Sequence, residues 1–276
     1  MSENVTTATL TLNTGAKIPK VGLGVWQAPS GKVTQRAVTE ALRLGYRHID
    51  TARIYGNEAD VGSAIIHAEV RREDVFVTTK LWNDDQGYDR ARHAYDASLR
   101  RLGLDYVDLY LMHWPVFGKR LDSWRALEFL YKEKRVRAIG VSNYLVTHLQ
   151  ELTRVAKIVP AVNQIEQSPF LQRRDTVALC KELGIVVEAY SPLTHGQRMD
   201  HPVLRAIADE VKRTPAQVML RWNIQRDVVV LPKSVTPQRI AENAGLFDFS
   251  LDAKAMARLD DLEENLVTGW DPAAQR

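Results

Sequence analysis

Asp50, Tyr55, Lys80 and His113 are the residues whose types could do chemistry together. A lysine buried beside a tyrosine favours the phenolate, so the phenol's pKa is expected to fall from about 10 toward working pH. Asp50 would keep that lysine charged and aimed. Tyr55 then becomes a general acid for a developing alkoxide, and His113 can donate a second hydrogen bond to the same oxygen. The chemistry that suits this set is carbonyl reduction, which calls for a hydride donor. No metal is expected in its place: the seven histidines are dispersed, and the single cysteine, Cys180, has no partner at ligand spacing.

Taken singly, each residue has a plainer structural reading. An aspartate at a strand end caps a turn, a tyrosine near a core packs with its hydroxyl satisfied, a lysine reaches solvent, and a histidine sits in a core. The elements around them decide the matter. Short apolar runs at 21–23, 46–49, 75–78, 107–112, 137–141, 161–165, 185–189 and 228–231 read as buried parallel strands. Helical faces lie between them: Val33, Ala37, Val38, Ala41 and Leu42 form one, and Tyr88, Ala91, Tyr95, Ser98 and Leu102 another. Thr214-Pro215-Ala216-Gln217 reads as a capping box with proline in the first helical position.

This alternation predicts an α/β fold, a (β/α)8 TIM barrel forming a single domain over 1–276. An N-terminal β-hairpin, 9–12 and 16–18 with Asn13-Thr14-Gly15 in its turn, would cap the bottom, and two extra helical patterns follow the eighth strand at 236–244 and 251–262. The rival architecture is an open doubly wound sheet. It lacks its usual dinucleotide motif here, because Gly22-Leu23-Gly24 is followed by Val25-Trp26-Gln27 with no third glycine.

In such a barrel, catalysis belongs to the carboxyl ends of the strands. Asp50 ends the second strand, with Tyr55 in the loop after it, Lys80 ends the third, and His113 ends the fourth. The eighth strand runs into Leu231-Pro232-Lys233-Ser234-Val235, and a helix starts near Thr236-Pro237. Backbone N–H groups at that start, with Lys233 and Arg239, make an anion site that suits a 2′-phosphate, which favours NADPH over NADH.

Composition narrows the alternatives. A chain of 276 residues, 45% hydrophobic and 26% charged, is ordinary for one globular domain. One cysteine allows no internal disulfide, which fits a reducing compartment. No apolar run nears the ~20 residues needed to cross a bilayer, and the amino terminus lacks a secretory pattern, so a cytoplasmic location is expected. The net charge of +3 comes from scattered basic residues without interleaved aromatics, so neither nucleic acid nor membrane is an expected partner.

The sequence also resembles the aldo-keto reductase family. Gly45-Tyr46-Arg47-His48-Ile49-Asp50-Thr51-Ala52 with Tyr55, Asn57 and Glu58 is similar to the family's first motif. Leu109 to Pro115, Gly140 to Tyr144 and Val230 to Ser234 are similar to later ones, and the closest subgroup is that of 2,5-diketo-gluconate reductases and prostaglandin-F-synthase-like prokaryotic members. The resemblance implies Tyr55 as proton donor, Asp50 and Lys80 as its tuning pair and His113 as the carbonyl-orienting residue. It implies that Ser142, Asn143 and Gln164 hold the nicotinamide carboxamide and that Tyr190 stacks on the ring. Lys233, Ser234 and Arg239 would grip the 2′-phosphate, with Glu242 and Asn243 near the adenine. Gly24, Trp26, Ser191, Leu193 and Val235 complete the implied cofactor set, and the resemblance favours a monomer.

Trp26, Trp82 and Trp114 are expected to line the substrate pocket. Ser168 stands where many relatives have histidine, the 115–122 segment is short, and the chain stops soon after Gly269-Trp270-Asp271. An abbreviated carboxy-terminal loop predicts an open site that favours small or polar carbonyls, including α-dicarbonyls. Two other activities remain compatible with the residues: a non-catalytic NADPH-binding barrel, and a Schiff-base aldolase with Lys80 as nucleophile.

Overall fold

The eight apolar runs are eight parallel strands, because each is covered on both faces. The computed structural model describes residues 3–274; Met1, Ser2, Gln275 and Arg276, the ends of the expected 1–276 domain, lie outside the described residues. A hairpin of β1 (Thr9–Thr11) and β2 (Lys17–Pro19) comes first. The barrel strands follow as β3 (Leu23–Gly24), β4 (His48–Asp50), β5 (Phe76–Leu81), β6 (Val107–Met112), β7 (Val136–Ser142), β8 (Val162–Glu166), β9 (Val186–Tyr190) and β10 (Val229–Leu231). They pair in sequence order, all parallel. Parallel bridges Val21–Val230 and Gly24–Lys233 join the first to the last and close the barrel.

The helices are α1 (Lys32–Arg43), α2 (Glu58–Ile66), α3 (Tyr88–Leu102), α4 (Arg120–Lys132), α5 (Val146–Val155), α6 (Arg174–Glu182), α7 (Pro202–Val211), α8 (Pro215–Ile224), α9 (Pro237–Ala244) and α10 (Ala253–Asp260). The expected faces of α1 and α3 turn inward except at their first residues: Ala37, Val38, Ala41, Leu42, Ala91, Tyr95, Ser98 and Leu102 are buried, whereas Val33 and Tyr88, near the helix starts, are exposed. The capping box of α8 forms, with Gln217 N donating to Thr214 Oγ1 at 3.2 Å and Thr214 N to Gln217 Oε1 at 3.1 Å. Both helices expected after the last strand are present; α9 packs between α8 and α1, and α10 packs on α7.

Most of the core lies between the strands and the helix ring. A smaller cluster fills the bottom of the barrel, where Leu12 and Ile18 of the hairpin meet Leu109, Leu111, Val162 and Val229. The hairpin therefore plugs the amino-terminal end, as expected, and leaves the carboxyl rim as the open face. Gly22 and Gly140 allow the close approaches inside: an added Cβ would sit 2.7 Å from Leu231 Cδ2 and 2.6 Å from Val162 O, respectively.

Candidate active site

The strand ends deliver the four reactive side chains to one place. Asp50 is the last residue of β4. After it, a 3₁₀ turn over Arg53–Tyr55, ended by Gly56 at φ 70°, brings the tyrosine back over the rim. Buried Asn57 pins this loop, accepting from Thr51 Oγ1 at 2.9 Å and donating to Val25 O at 2.9 Å. Lys80 lies in β5 and is fully buried. His113 follows β6, its backbone N–H donating to Leu81 O at 3.1 Å and its carbonyl accepting from Asn143 Nδ2 at 3.0 Å.

Lys80 Nζ donates to Asp50 Oδ1 at 2.6 Å, to Thr51 O at 3.0 Å and to Tyr55 Oη at 3.3 Å. Three donors thus meet three acceptors, and the tyrosine accepts rather than donates, so its own O–H stays free. The rings of Tyr55 and His113 stand edge-on with centroids 5.7 Å apart, and Trp82 packs on the other side of His113 at 5.3 Å.

Electrostatics separate the roles. Burial works against the Lys80 ammonium, but the charge of Asp50, the neighbouring phenol and the Asp50 hydrogen bond outweigh it and hold its pKa above the ordinary value. Burial pushes the Asp50 carboxyl up, opposed by Lys80 and by hydrogen bonds from Lys80 and Gln164. Burial also raises Tyr55, and Lys80 offsets only part of that. The expected fall of the tyrosine pKa toward working pH is therefore not what this site holds: Lys80 pulls in the expected direction, but desolvation wins. The phenol is neutral, the form a proton donor needs. His113 is driven well below its usual value by burial and then by Lys80, so its imidazole is neutral too.

Above these groups lies a cavity of about 520 Å³. Asp50, Tyr55 and His113 line it, whereas Lys80 sits beneath the wall. Of the expected cofactor residues, Gly24, Trp26, Ser142, Asn143, Gln164, Tyr190, Ser191, Leu193 and Lys233 line the same cavity, as do all three tryptophans expected at the substrate pocket. Ser234, Val235, Arg239, Glu242 and Asn243 do not; they cluster at α9. Ser234 Oγ there accepts from Thr236 N at 3.1 Å, and Glu242 accepts from Thr214 Oγ1 at 2.5 Å, so both are already engaged. Lys233 and Arg239 are exposed and enter no ion pair among the described residues.

The polar wall is ordered. Asn143, at φ 65°, donates to His113 O and accepts from Tyr190 Oη at 2.8 Å. Ser142 Oγ donates to Gln164 O at 2.9 Å. Gln164 Nε2 donates to Asp50 Oδ2 at 2.9 Å and to Glu188 Oε2 at 2.6 Å, which leaves its carbonyl oxygen as the acceptor available to the cavity. That acceptor matches the amide N–H2 of a nicotinamide, and the exposed cations Lys233 and Arg239 match a phosphate, so the residues present fit a nicotinamide dinucleotide.

Sequence reasoning missed several wall residues. Ile54, Pro192, His195 and Trp270 also line the cavity. His195 reaches Ser191 Oγ at 2.9 Å and packs on Trp26 at 5.6 Å. The short carboxy-terminal segment does not leave the site bare. Glu166 Oε1 accepts from Thr268 N at 2.8 Å and from Thr268 Oγ1, and Trp270 is laid against Trp114 with ring centroids 5.9 Å apart.

A closed parallel barrel with a Tyr–Lys–Asp–His cluster beneath an aromatic-walled cavity defines a class of carbonyl-directed oxidoreductases. Comparison with known proteins agrees. The model of the aldo/keto reductase family matches residues 20–264. A glyoxal reductase of Bacillus subtilis is 47% identical over 264 residues, 96% of each chain. A 9,11-endoperoxide prostaglandin H2 reductase of Trypanosoma cruzi is 47% identical over 266 residues, 95% of this chain and 94% of its own. The crystal structure of an aldo/keto reductase from Brucella melitensis superposes with a TM-score of 0.89 at 45% identity, covering 92% of this chain and 99% of that one. The chain belongs to the aldo/keto reductase family.

Proposed function

We propose that this protein reduces aldehydes and ketones to alcohols with NADPH, acting on small α-dicarbonyls such as methylglyoxal. The observation that carries the reading is the Lys80–Tyr55 contact at 3.3 Å, which leaves a neutral phenol O–H directed at a cavity rather than at the protein. When bound, NADPH supplies a hydride to the carbonyl carbon. Tyr55 gives its proton to the carbonyl oxygen, and Lys80, held charged by Asp50, stabilises the phenolate left behind. His113, as neutral imidazole, donates one hydrogen bond that orients the same oxygen. The product is the alcohol, and Tyr55 recovers its proton from solvent.

Gln164, with Ser142 and Asn143, would hold the carboxamide, and the Tyr190 ring would lie against the nicotinamide. Lys233 and Arg239, exposed and free of ion pairs, speak for the 2′-phosphate. The glyoxal reductase likeness supports the dicarbonyl substrate, and the walls formed by Trp26, Trp82, Trp114 and Trp270 suit one apolar substituent on it. A Schiff-base role for Lys80 is disfavoured, since a buried ammonium with three acceptors is no nucleophile. A single-domain, cytoplasmic monomer completes the reading.

The test is a steady-state panel of methylglyoxal, phenylglyoxal and simple ketones, with NADPH and NADH. The reading predicts oxidation of NADPH by the dicarbonyls, a weaker Kd for NADH, and selective loss of NADPH affinity in Arg239→Ala. Equal Kd values for the two cofactors would sink the cofactor assignment, and NADPH binding without turnover would leave only a binding protein.

A further inference from the structure

Beneath the cavity lies a second carboxyl group that the proposed reaction does not use. Glu188, in β9, is wholly buried inside the barrel. Its Oε2 accepts from Gln164 Nε2 at 2.6 Å, and the same nitrogen donates to Asp50 at 2.9 Å. Asp50 continues to Lys80 and Lys80 to Tyr55, so hydrogen bonds run unbroken from Glu188 to the proton donor.

Charge decides the state of this group. Lys80 brings one positive charge and Asp50 one negative, and the pair is closed. His48 Nε2, 3.6 Å from the other Glu188 oxygen, is the remaining titratable neighbour. It cannot supply a balancing cation, because burial and then Lys80 push its pKa down to about 3. An ionised Glu188 would therefore be a second buried anion beside Asp50 with no cation of its own, a state that costs several kcal/mol.

Geometry decides what the group does. With both amide hydrogens of Gln164 committed to carboxyl oxygens, turning the side chain over would set its carbonyl oxygen against the Asp50 carboxylate and leave both carboxyl oxygens without that donor. Its carbonyl oxygen is the end left for the cofactor's carboxamide.

We propose that Glu188 is a positioning residue: as an uncharged acid it fixes, through Gln164, which end of that carboxamide meets the nicotinamide. This rests on the NADPH reading. The groups facing Glu188 are Asp50 and His48 of β4, Tyr55 of the turn after β4, Lys80 of β5 and Gln164 of β8; the one cation among them, Lys80, is already paired with Asp50. Burial and then Asp50 raise its carboxyl to about 8.

Fluorescence titration of the intact protein with NADPH and with adenosine 2′,5′-bisphosphate, which lacks the nicotinamide, separates positioning from folding. Glu188→Leu is expected to weaken NADPH about tenfold, the loss of one charge-poor hydrogen bond, and to leave the bisphosphate unchanged. Glu188→Gln, which can still accept from Gln164 but cannot ionise, is expected to restore NADPH affinity. Equal weakening of both ligands in Glu188→Leu, no weakening of either, or a Glu188→Gln variant that binds NADPH as weakly as Glu188→Leu would each overturn the inference. Failure of the wild type to bind NADPH at all would instead overturn the reading it rests on.

Discussion

At Lys80, itself fully buried, three N–H groups meet Asp50 Oδ1, Thr51 O and Tyr55 Oη. Removing the cation leaves Asp50 as an uncompensated buried carboxylate. Lys80→Met is therefore expected to cost about 3–5 kcal/mol of stability as well as activity. The double variant with Asp50→Asn should recover most of the stability and none of the turnover. Urea unfolding with a steady-state assay checks both halves; a single variant as stable as the wild type would contradict the pairing. The types of these residues were readable in the sequence, and so was their place at strand ends. The net direction of the Tyr55 pKa was not. It depends on how far burial outweighs one nearby charge, and that balance is a property of the packed site.

The elements were the most legible part, because parallel strands covered on both faces read as unbroken apolar runs and helices as amphipathic ones. The capping box of α8 was visible from Thr214 and Gln217 alone. Glu188 was not: a carboxylate inside an apolar strand reads only as an interruption, and its partner Gln164 lies on the neighbouring strand. The return of Trp270 to the rim was hidden for the same reason, since the Glu166–Thr268 tie spans distant parts of the chain. Element packing also carries a prediction. A Cβ on Gly62 of α2 would lie 1.7 Å from Leu102 O at the end of α3. Gly62→Ala must push the two helices apart, and a loss of about 1–3 kcal/mol is expected. An unchanged urea midpoint would refute the close approach. Because α2 begins at Glu58, just after the Tyr55 turn, the same variant should slow carbonyl turnover as well.

For the molecule as a whole, three buried groups shape stability against pH. His48 is pushed down to about 3 and His113 well below 6.5, so between those values and 6.5 the unfolded chain binds protons that the native state refuses. Stability contributed by both histidines is thus lost as pH falls below 6.5. Glu188 has the opposite sign. Raised from 4.5 to about 8, it holds a proton that the unfolded chain has released, and stability falls as pH rises across that interval. Below 6.5 the two histidines outweigh the one acid, and above 6.5 their contribution fades and the acid's prevails. Stability is therefore expected to decline from pH 6.5 toward pH 8. Urea midpoints across this range test it; a rise between 6.5 and 8 would show that Glu188 is ionised in the native state.

All of this depends on Tyr55 giving up its proton to a carbonyl oxygen. Single-turnover oxidation of bound NADPH by methylglyoxal, wild type against Tyr55→Phe, measures that step apart from binding. The account predicts an NADPH Kd unchanged by the substitution and a rate lowered by about 10²-fold or more. A Tyr55→Phe protein that turns over at the wild-type rate would contradict it.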